Sequence, residues 1–342
     1  MKTRKSIFAG VLFSGLACLI GMVSCNSQPT EETARAAVEK KGGMVVTLAP
    51  DLTGIKAGLN RYESSQEEAE QEAITNSCKV LWSRLDRFGA KKAFVKVNDE
   101  NQIIAIIPEV QDPERVRRLL QAKGRLEFWE TYENSEVYPR LKQLNDVLLA
   151  NGDESLIGLL NPFVTADGEA MRGPAVGLVH ASDTTRLRAM LTSAEANDIL
   201  QRDARFVWSA KPAREDAPYY HLIALKAMRN GRAALGGEVI TAAKVEHNKW
   251  SPEPVIDLSM NAEGAKCWQY LTRDNVGKSI GIVVDGQLYS YPTVMCEIEC
   301  GRSQITGNFT EEEAADLANM LSSGVMPCPV RIVEEQIIES QK

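Results

Sequence analysis

The sequence predicts an α+β protein, and three observations carry that reading. Short apolar runs with period-two alternation recur along the chain, as where Ile256, Leu258 and Met260 are set against Asp257 and Ser259. Stretches with helical spacing lie between them and bring their own start and stop signals. Thr310 and Glu313 form a capping box ahead of Ala314, Leu317, Ala318 and Leu321, and Gly324 closes that run. The composition, 44% hydrophobic and 25% charged over 342 residues, suits a chain that buries an ordinary core in two subdomains.

In chain order, the first residues concern the compartment. Lys2, Arg4 and Lys5 precede an uncharged apolar run that stops at Cys25, the pattern of a secretory signal over residues 1–24. Met22-Val23-Ser24-Cys25 resembles a bacterial lipoprotein cleavage box, which would make Cys25 the lipid attachment residue. An uncleaved membrane anchor is the alternative, because the run approaches the ~20 residues that span a bilayer. Residues 25–42 are polar and lack strand patterning, so they read as a flexible tether.

Residues 44–50 form a strand, and residues 64–89 an amphipathic helix whose acidic first turns suit the helix dipole. Residues 93–97 and 103–108 are strands around a polar turn. Asp112-Pro113 starts a helix with a cap and an N1 proline, Val116, Leu119 and Leu120 face inward, and residues 125–130 form a last strand. That order, β-α-β-β-α-β, is the ferredoxin-like split arrangement. Further on, residues 136–150 and 184–202 are helical, with loop-rich material between them, and 206–210 and 219–227 are strands. The strand 255–260 leads to Asn261, which caps a helix bearing Ala265, Trp268 and Leu271. Residues 279–284 are an apolar strand, and Asp285-Gly286 signals a tight hairpin into 287–291. There Tyr289 and Tyr291 alternate with Ser290, so both should project from one strand face. Residues 304–308 form a last strand before the helix that Thr310 starts.

The chemistry is sparse. A net charge of −7 and a pI near 5.3 argue against nucleic acid as a partner. His180, His221 and His247 are scattered and have no partner at ligand spacing, and no metalloprotease, nucleophile-elbow or phosphate-loop motif is present. No enzyme, cofactor or metal site is expected. Asp285 reads as a hairpin residue, and the Arg115, Arg117 and Arg118 cluster as a solvated helix face. Cys78, Cys267, Cys296, Cys300 and Cys328 are odd in number and read as core or reduced thiols, with Cys78 on a buried helix face.

Several long strings carry a resemblance. NAEGAKCWQYLTRDNVG, IGIVVDGQLYSYPTV and GRSQITGNFTEEEAADLANMLSSGVMPCPVRIVEEQ are similar to the large first periplasmic domain of the SecD family. RLDRFG, IIAIIPEVQDPERVRRLL and LEFWETY match its earlier half in the same order. The resemblance implies a ferredoxin-like base, over 43–132 and 301–338, with an α+β head inserted over 133–300. It also implies a non-enzymatic role in protein export or post-translocation folding, with unfolded or translocating polypeptide and Sec translocon components as partners. Tyr289 and Tyr291 are then candidate polypeptide-binding residues. The family continues into membrane helices where this sequence stops, so the expectation is a periplasmic domain held on a membrane by the lipid of Cys25. Asn26 after that cysteine favours the outer membrane slightly over the inner. The competing function is a repurposed domain serving as a structural or ligand-binding part of an envelope complex.

Overall fold

The computed structural model describes residues 28–55, 65–214, 216–247 and 253–340. The signal and lipid-attachment readings at residues 1–25 lie outside them. Its first elements are α1 (Glu31–Lys41), β1 (Gly43–Pro50), α2 (Gln66–Phe88), β2 (Phe94–Val97), β3 (Ile103–Pro108), α3 (Pro113–Gln121) and β4 (Leu126–Thr131). Next come α4 (Asn134–Ala150), α5 (Leu156–Leu160), β5 (Ala175–His180), α6 (Thr184–Leu191), α7 (Ala194–Ile199), β6 (Ala204–Trp208), β7 (Tyr219–Lys226) and β8 (Leu235–Gly236). The last part holds β9 (Ile240–His247), β10 (Pro254–Met260), α8 (Ala262–Asp274), β11 (Ile280–Val284), β12 (Gln287–Ser290), β13 (Arg302–Ile305), α9 (Glu311–Ser323) and β14 (Val330–Ile338).

The α+β class is observed. A four-stranded sheet runs β14-β1-β3-β2, the ferredoxin-like order, with every neighbouring pair antiparallel. Alternation along β1 divides its side chains between two layers. Met44, Val46 and Leu48 pack with Ile74, Leu81 and Leu85 of α2 and with Val116 and Leu120 of α3. Val45 faces the other way, toward Ala34 and Val38 of α1.

Two expectations change here. Residues 31–41, read as tether, form a helix capped by Thr30, with Ala34 and Val38 buried against the sheet. Two apolar side chains four apart are enough to dock a short helix on a ready apolar face, a signal too weak to notice in a polar stretch. The fourth strand of the base sheet is β14 and not 125–130. Leu126 and Phe128 are buried on one face of β4 and Trp129 on the other, so β4 needs a central position. It finds one between β11 and β7 in the large sheet. β14 has mostly exposed and half-buried side chains, which suits the edge it occupies.

The seven-stranded sheet follows β12-β11-β4-β7-β5, with β6 added on β7 and β8 on β4. A third sheet, β13-β10-β9, packs with α8 and α9 against one face of it, burying Phe128, Ile256, Leu258, Trp268, Ile282, Leu317 and Leu321 together. α4 to α7 cover β5 and β7 elsewhere. The stretch 184–202, expected as one helix, breaks at Thr192, and Ser193 caps α7. β13 and α9, assigned to the base from the sequence, share this larger core; α9 also reaches back to α2 through the Asn319 side-chain amide, which donates to the Arg84 carbonyl at 2.9 Å.

Candidate functional site

The two polypeptide-binding candidates sit at the exit of the β11–β12 hairpin. Asp285 and Gly286 both take positive φ, 51° and 83°, as a two-residue hairpin of mirror-image type requires. β12 then carries a bulge. Ile282 pairs with Ser290 but Val283 pairs with Leu288, so Tyr289 is the extra residue. The insertion reverses the alternation. Tyr289 packs toward the core shared with α9, and Tyr291 toward the opposite core with Leu288. The expectation that both project from one strand face is therefore corrected, because an even spacing fixes a common face only in an unbroken strand.

Both tyrosines nonetheless line one trough of about 690 Å³, because Tyr291 lies past the strand end where the chain turns. Its other walls are the segments 209–214 and 306–310. A neighbouring hollow of about 340 Å³ extends it toward α3, lined by Arg115, Arg118 and Leu119. The two share Lys211, Tyr289, Phe309 and Glu313. Tyr289 and Phe309 stack with centroids 6.3 Å apart, and the Lys211 ammonium lies 5.4 Å from the Phe309 centroid.

Lys211 also donates to the Asn308 carbonyl and to Glu313, at 2.5 Å in the second case. Glu313 accepts from the Thr310 amide as the capping-box partner of α9. Burial acts to raise the Glu313 pKa, but bonds from Lys211 and Thr310 outweigh it and hold the carboxyl below its ordinary value. Deeper in, the Tyr291 hydroxyl and His221 Nδ1 share a 2.8 Å hydrogen bond. Burial raises the tyrosine and lowers the histidine, so both are neutral near pH 7. The trough thus offers aromatic faces, one buttressed ion pair and neutral hydrogen-bonding groups.

The other sequence-derived residues scatter. His180 bonds Ser182, and His247 pairs with Glu311 at 2.8 Å, both on the surface. Cys78 is half-buried on α2 and its thiol is pushed up to about 11 by burial. Cys267, Cys296 and Cys300 are free and exposed, so they are not core residues; the last two lie on irregular chain between β12 and β13. Among the described residues no cluster of His, Cys, Asp and Glu could hold a metal. Phe309 and Lys211 were missed because nothing local marks either as a partner of Tyr289. Arg115 and Arg117 are not merely solvated: Arg115 makes a bidentate pair with Asp316 of α9, at 2.7 and 2.8 Å, and Arg117 pairs with Glu335 of β14.

Fold and trough together define a class, a ferredoxin-like base carrying a larger multi-sheet unit whose surface groove is aromatic and ionic. Comparison with known proteins gives the family. The family model described as the SecDF P1 head subdomain matches residues 218–328, and the one for the N-terminal part of the translocase subunit SecDF P1 domain matches 74–133. The chain belongs to the SecD P1-domain family. The protein translocase subunit SecD of Rhodothermus marinus is 33% identical over 321 residues, covering 82% of this chain and 50% of that protein. SecD of Syntrophobacter fumaroxidans is 28% identical, covering 83% and 42% respectively. The chain spans about half the length of these curated relatives or less. A crystal structure of SecDF in its super-membrane-facing form superposes with a TM-score of 0.53 at 19% identity, over 87% of this chain and 31% of that one, a likeness in fold. No helix among the described residues is long and apolar enough to cross a membrane.

Proposed function

We propose that this chain is a non-enzymatic, envelope-located binder of unfolded polypeptide that assists protein export, with the Tyr289–Phe309 trough as the contact surface. The observation that carries the reading is the half-buried pair Tyr289 and Tyr291 at the wall of an open groove, with Tyr289 held rigid by stacking on buried Phe309. Rigid aromatic faces give sequence-tolerant contact at small entropic cost, which an unfolded client of varied sequence needs. The relatives' names as protein translocase subunits support the export setting and Sec components as partners. The lipid on Cys25 would hold the domain at the membrane surface, where emerging chain is encountered. The chemistry of the trough supports binding without catalysis, because the ring of its one histidine bonds the Tyr291 hydroxyl through Nδ1 and its one carboxylate, Glu313, is held by Lys211 and the Thr310 amide.

Fluorescence anisotropy of a labelled unfolded preprotein against the whole chain tests this. Saturable binding is expected, weakened about tenfold, or roughly 1.4 kcal/mol, in the double variant Tyr289→Ala/Phe309→Ala. Absence of binding by the folded wild type would put the repurposed-domain reading in front. Undiminished fatty-acid labelling in Cys25→Ser would remove the lipid-anchor part alone.

A further inference from the structure

A second cleft lies at the outer edge of β6, away from the tyrosine trough. β6 is an incompletely used strand. Its register with β7 runs from Ala204 opposite Lys226 to Trp208 opposite Leu222, and the Ser209 amide donates to the His221 carbonyl. Backbone groups of residues 205, 207 and 209 therefore point to β7, and those of Phe206 and Trp208 point away. At Ala210 the outer edge is closed, because its amide donates to the Leu288 carbonyl at 2.7 Å. Upstream of that bond β12 has already turned back at Gly286. Leu288 of β12 forms a parallel bridge with Ser209 beside Trp208, and the outward groups of Ala204 bond Gln201 and Arg205, so among the described residues the stretch of outer edge that no strand takes is at Phe206.

The space left there measures about 620 Å³, within the ~300–1,000 Å³ of ordinary ligand sites. Trp129, Phe206 and Trp208 supply aromatic area, and Arg188, Arg202 and Arg205 supply charge. None of the three arginines has an ion-pair partner among the described residues, in a protein with seven more acidic than basic residues. Glu127 is the one carboxylate in the wall, and it already accepts from the Trp129 indole N–H at 3.2 Å.

We propose that this cleft takes an extended acidic segment of polypeptide, which bonds the open backbone edge at Phe206 and sets its carboxylates against Arg188, Arg202 and Arg205. A free strand edge gives main-chain bonds to any sequence, and the flanking side chains choose among sequences. Three cations without internal partners choose acidic ones, and the two tryptophans favour apolar residues between the acids. This deepens the polypeptide-binding reading and rests on it, adding a second contact with its own selectivity.

The test is anisotropy with three labelled peptides of one length that alternate apolar residues with glutamate, serine or lysine, titrated with the whole chain. The glutamate peptide should bind at least about tenfold more tightly than the lysine peptide, and raised salt should erase most of the difference. Arg188→Gln/Arg202→Gln should remove the preference and leave the serine peptide unchanged. That pair spares Arg205, whose guanidinium donates to the Arg202 and Ala204 carbonyls and helps hold the local chain. N-methylation of alternate amides in the glutamate peptide should abolish its advantage if it binds as a strand. Equal binding of all three peptides overturns the cleft assignment and leaves the trough standing, whereas no binding of any peptide overturns both. Capture of anionic phosphatidylglycerol vesicles through the same arginines, with no preference among peptides, also overturns it.

Discussion

Arg84 shows how one residue can hold a joint. It falls on the apolar stripe of α2 with Ile74, Ser77, Leu81 and Leu85, and it is fully buried. Its guanidinium meets no carboxylate and donates instead to carbonyls of Leu119, Ala122, Lys123 and Gly324, where α3 and α9 end. Helix C-termini offer unpaired carbonyls and partial negative charge, so a cation is accommodated there at reduced cost. Burial still lowers its pKa to about 10, with the Asp285 charge acting against that. Gly124, at φ 75°, leaves room for it, since a Cβ would come within 2.8 Å of the Arg84 guanidinium. Arg84→Met should cost ~3 kcal/mol by urea denaturation, because four carbonyls lose a charged donor. Unchanged stability would show that water replaces it. His221 makes a prediction in pH. Its folded pKa is depressed by burial below 6.5, so the unfolded chain takes up the proton first and stability falls as pH drops through that window. The melting-temperature gap between wild type and His221→Gln should narrow from about pH 7.5 to about pH 5.5. A constant gap would contradict this.

At the scale of elements, the β11–β12 hairpin reaches beyond its own sheet. The Asp285 carboxylate accepts from the amides of Lys123, Gly124 and Arg125, at 2.9, 3.1 and 2.9 Å. Those residues join α3 to β4, so the hairpin tip grips the amides of this helix-to-strand connection while Arg84 grips its carbonyls. Charge-assisted bonds of this kind are each stronger than neutral ones, and three of them share one acceptor. Asp285→Ala should lose ~3 kcal/mol, with Asp285→Asn between it and wild type, read as shifts in the urea midpoint at constant slope. A similar loss in Asp285→Asn and Asp285→Ala would mean that charge, not shape, carries the contact. No loss in either would mean that the connection holds its form without the hairpin.

At the scale of the molecule, the base is closed by the two ends of the chain. β1 pairs with β14 from Gly43 opposite Ile338 to Pro50 opposite Val330, and Arg117 ties α3 to Glu335 of the same strand. Everything that builds the larger sheets lies between those partners. Loop-closure entropy over so long a separation delays the pairing, so the base sheet should complete late in refolding. Removing residues 330–342 would bare the backbone edge of β1 along the base sheet. The truncated chain is expected to lose protection of β1 and β3 amides in hydrogen exchange while β4 and β11 keep theirs. Equal loss in both sheets would show one cooperative unit. We propose that the base and the larger unit are separable, and this measurement decides it.

The sequence by itself determined the local elements whose signals are contained within a few residues. The capping box at Thr310 and Glu313, the cap at Asn261 and the Asp285-Gly286 turn are all observed where their spacing places them. So were the first five elements of the ferredoxin-like order, though not its closing strand, because alternation and helical spacing are set by backbone geometry that each segment carries with it. The family was legible for the same reason, through long strings in fixed order. Tertiary structure alone decided which strand closes the base, since β4 and β14 differ in what packs on their second face and not in their propensity to be extended. It also decided the candidate site. A one-residue bulge at Tyr289 and a partner twenty residues on, Phe309, set which aromatic faces which groove, and no period in the sequence encodes either. Arg84 marks the boundary between the two: its place on an apolar stripe could be read in advance, but the carbonyls that receive it come from two other parts of the chain, the ends of α3 and α9.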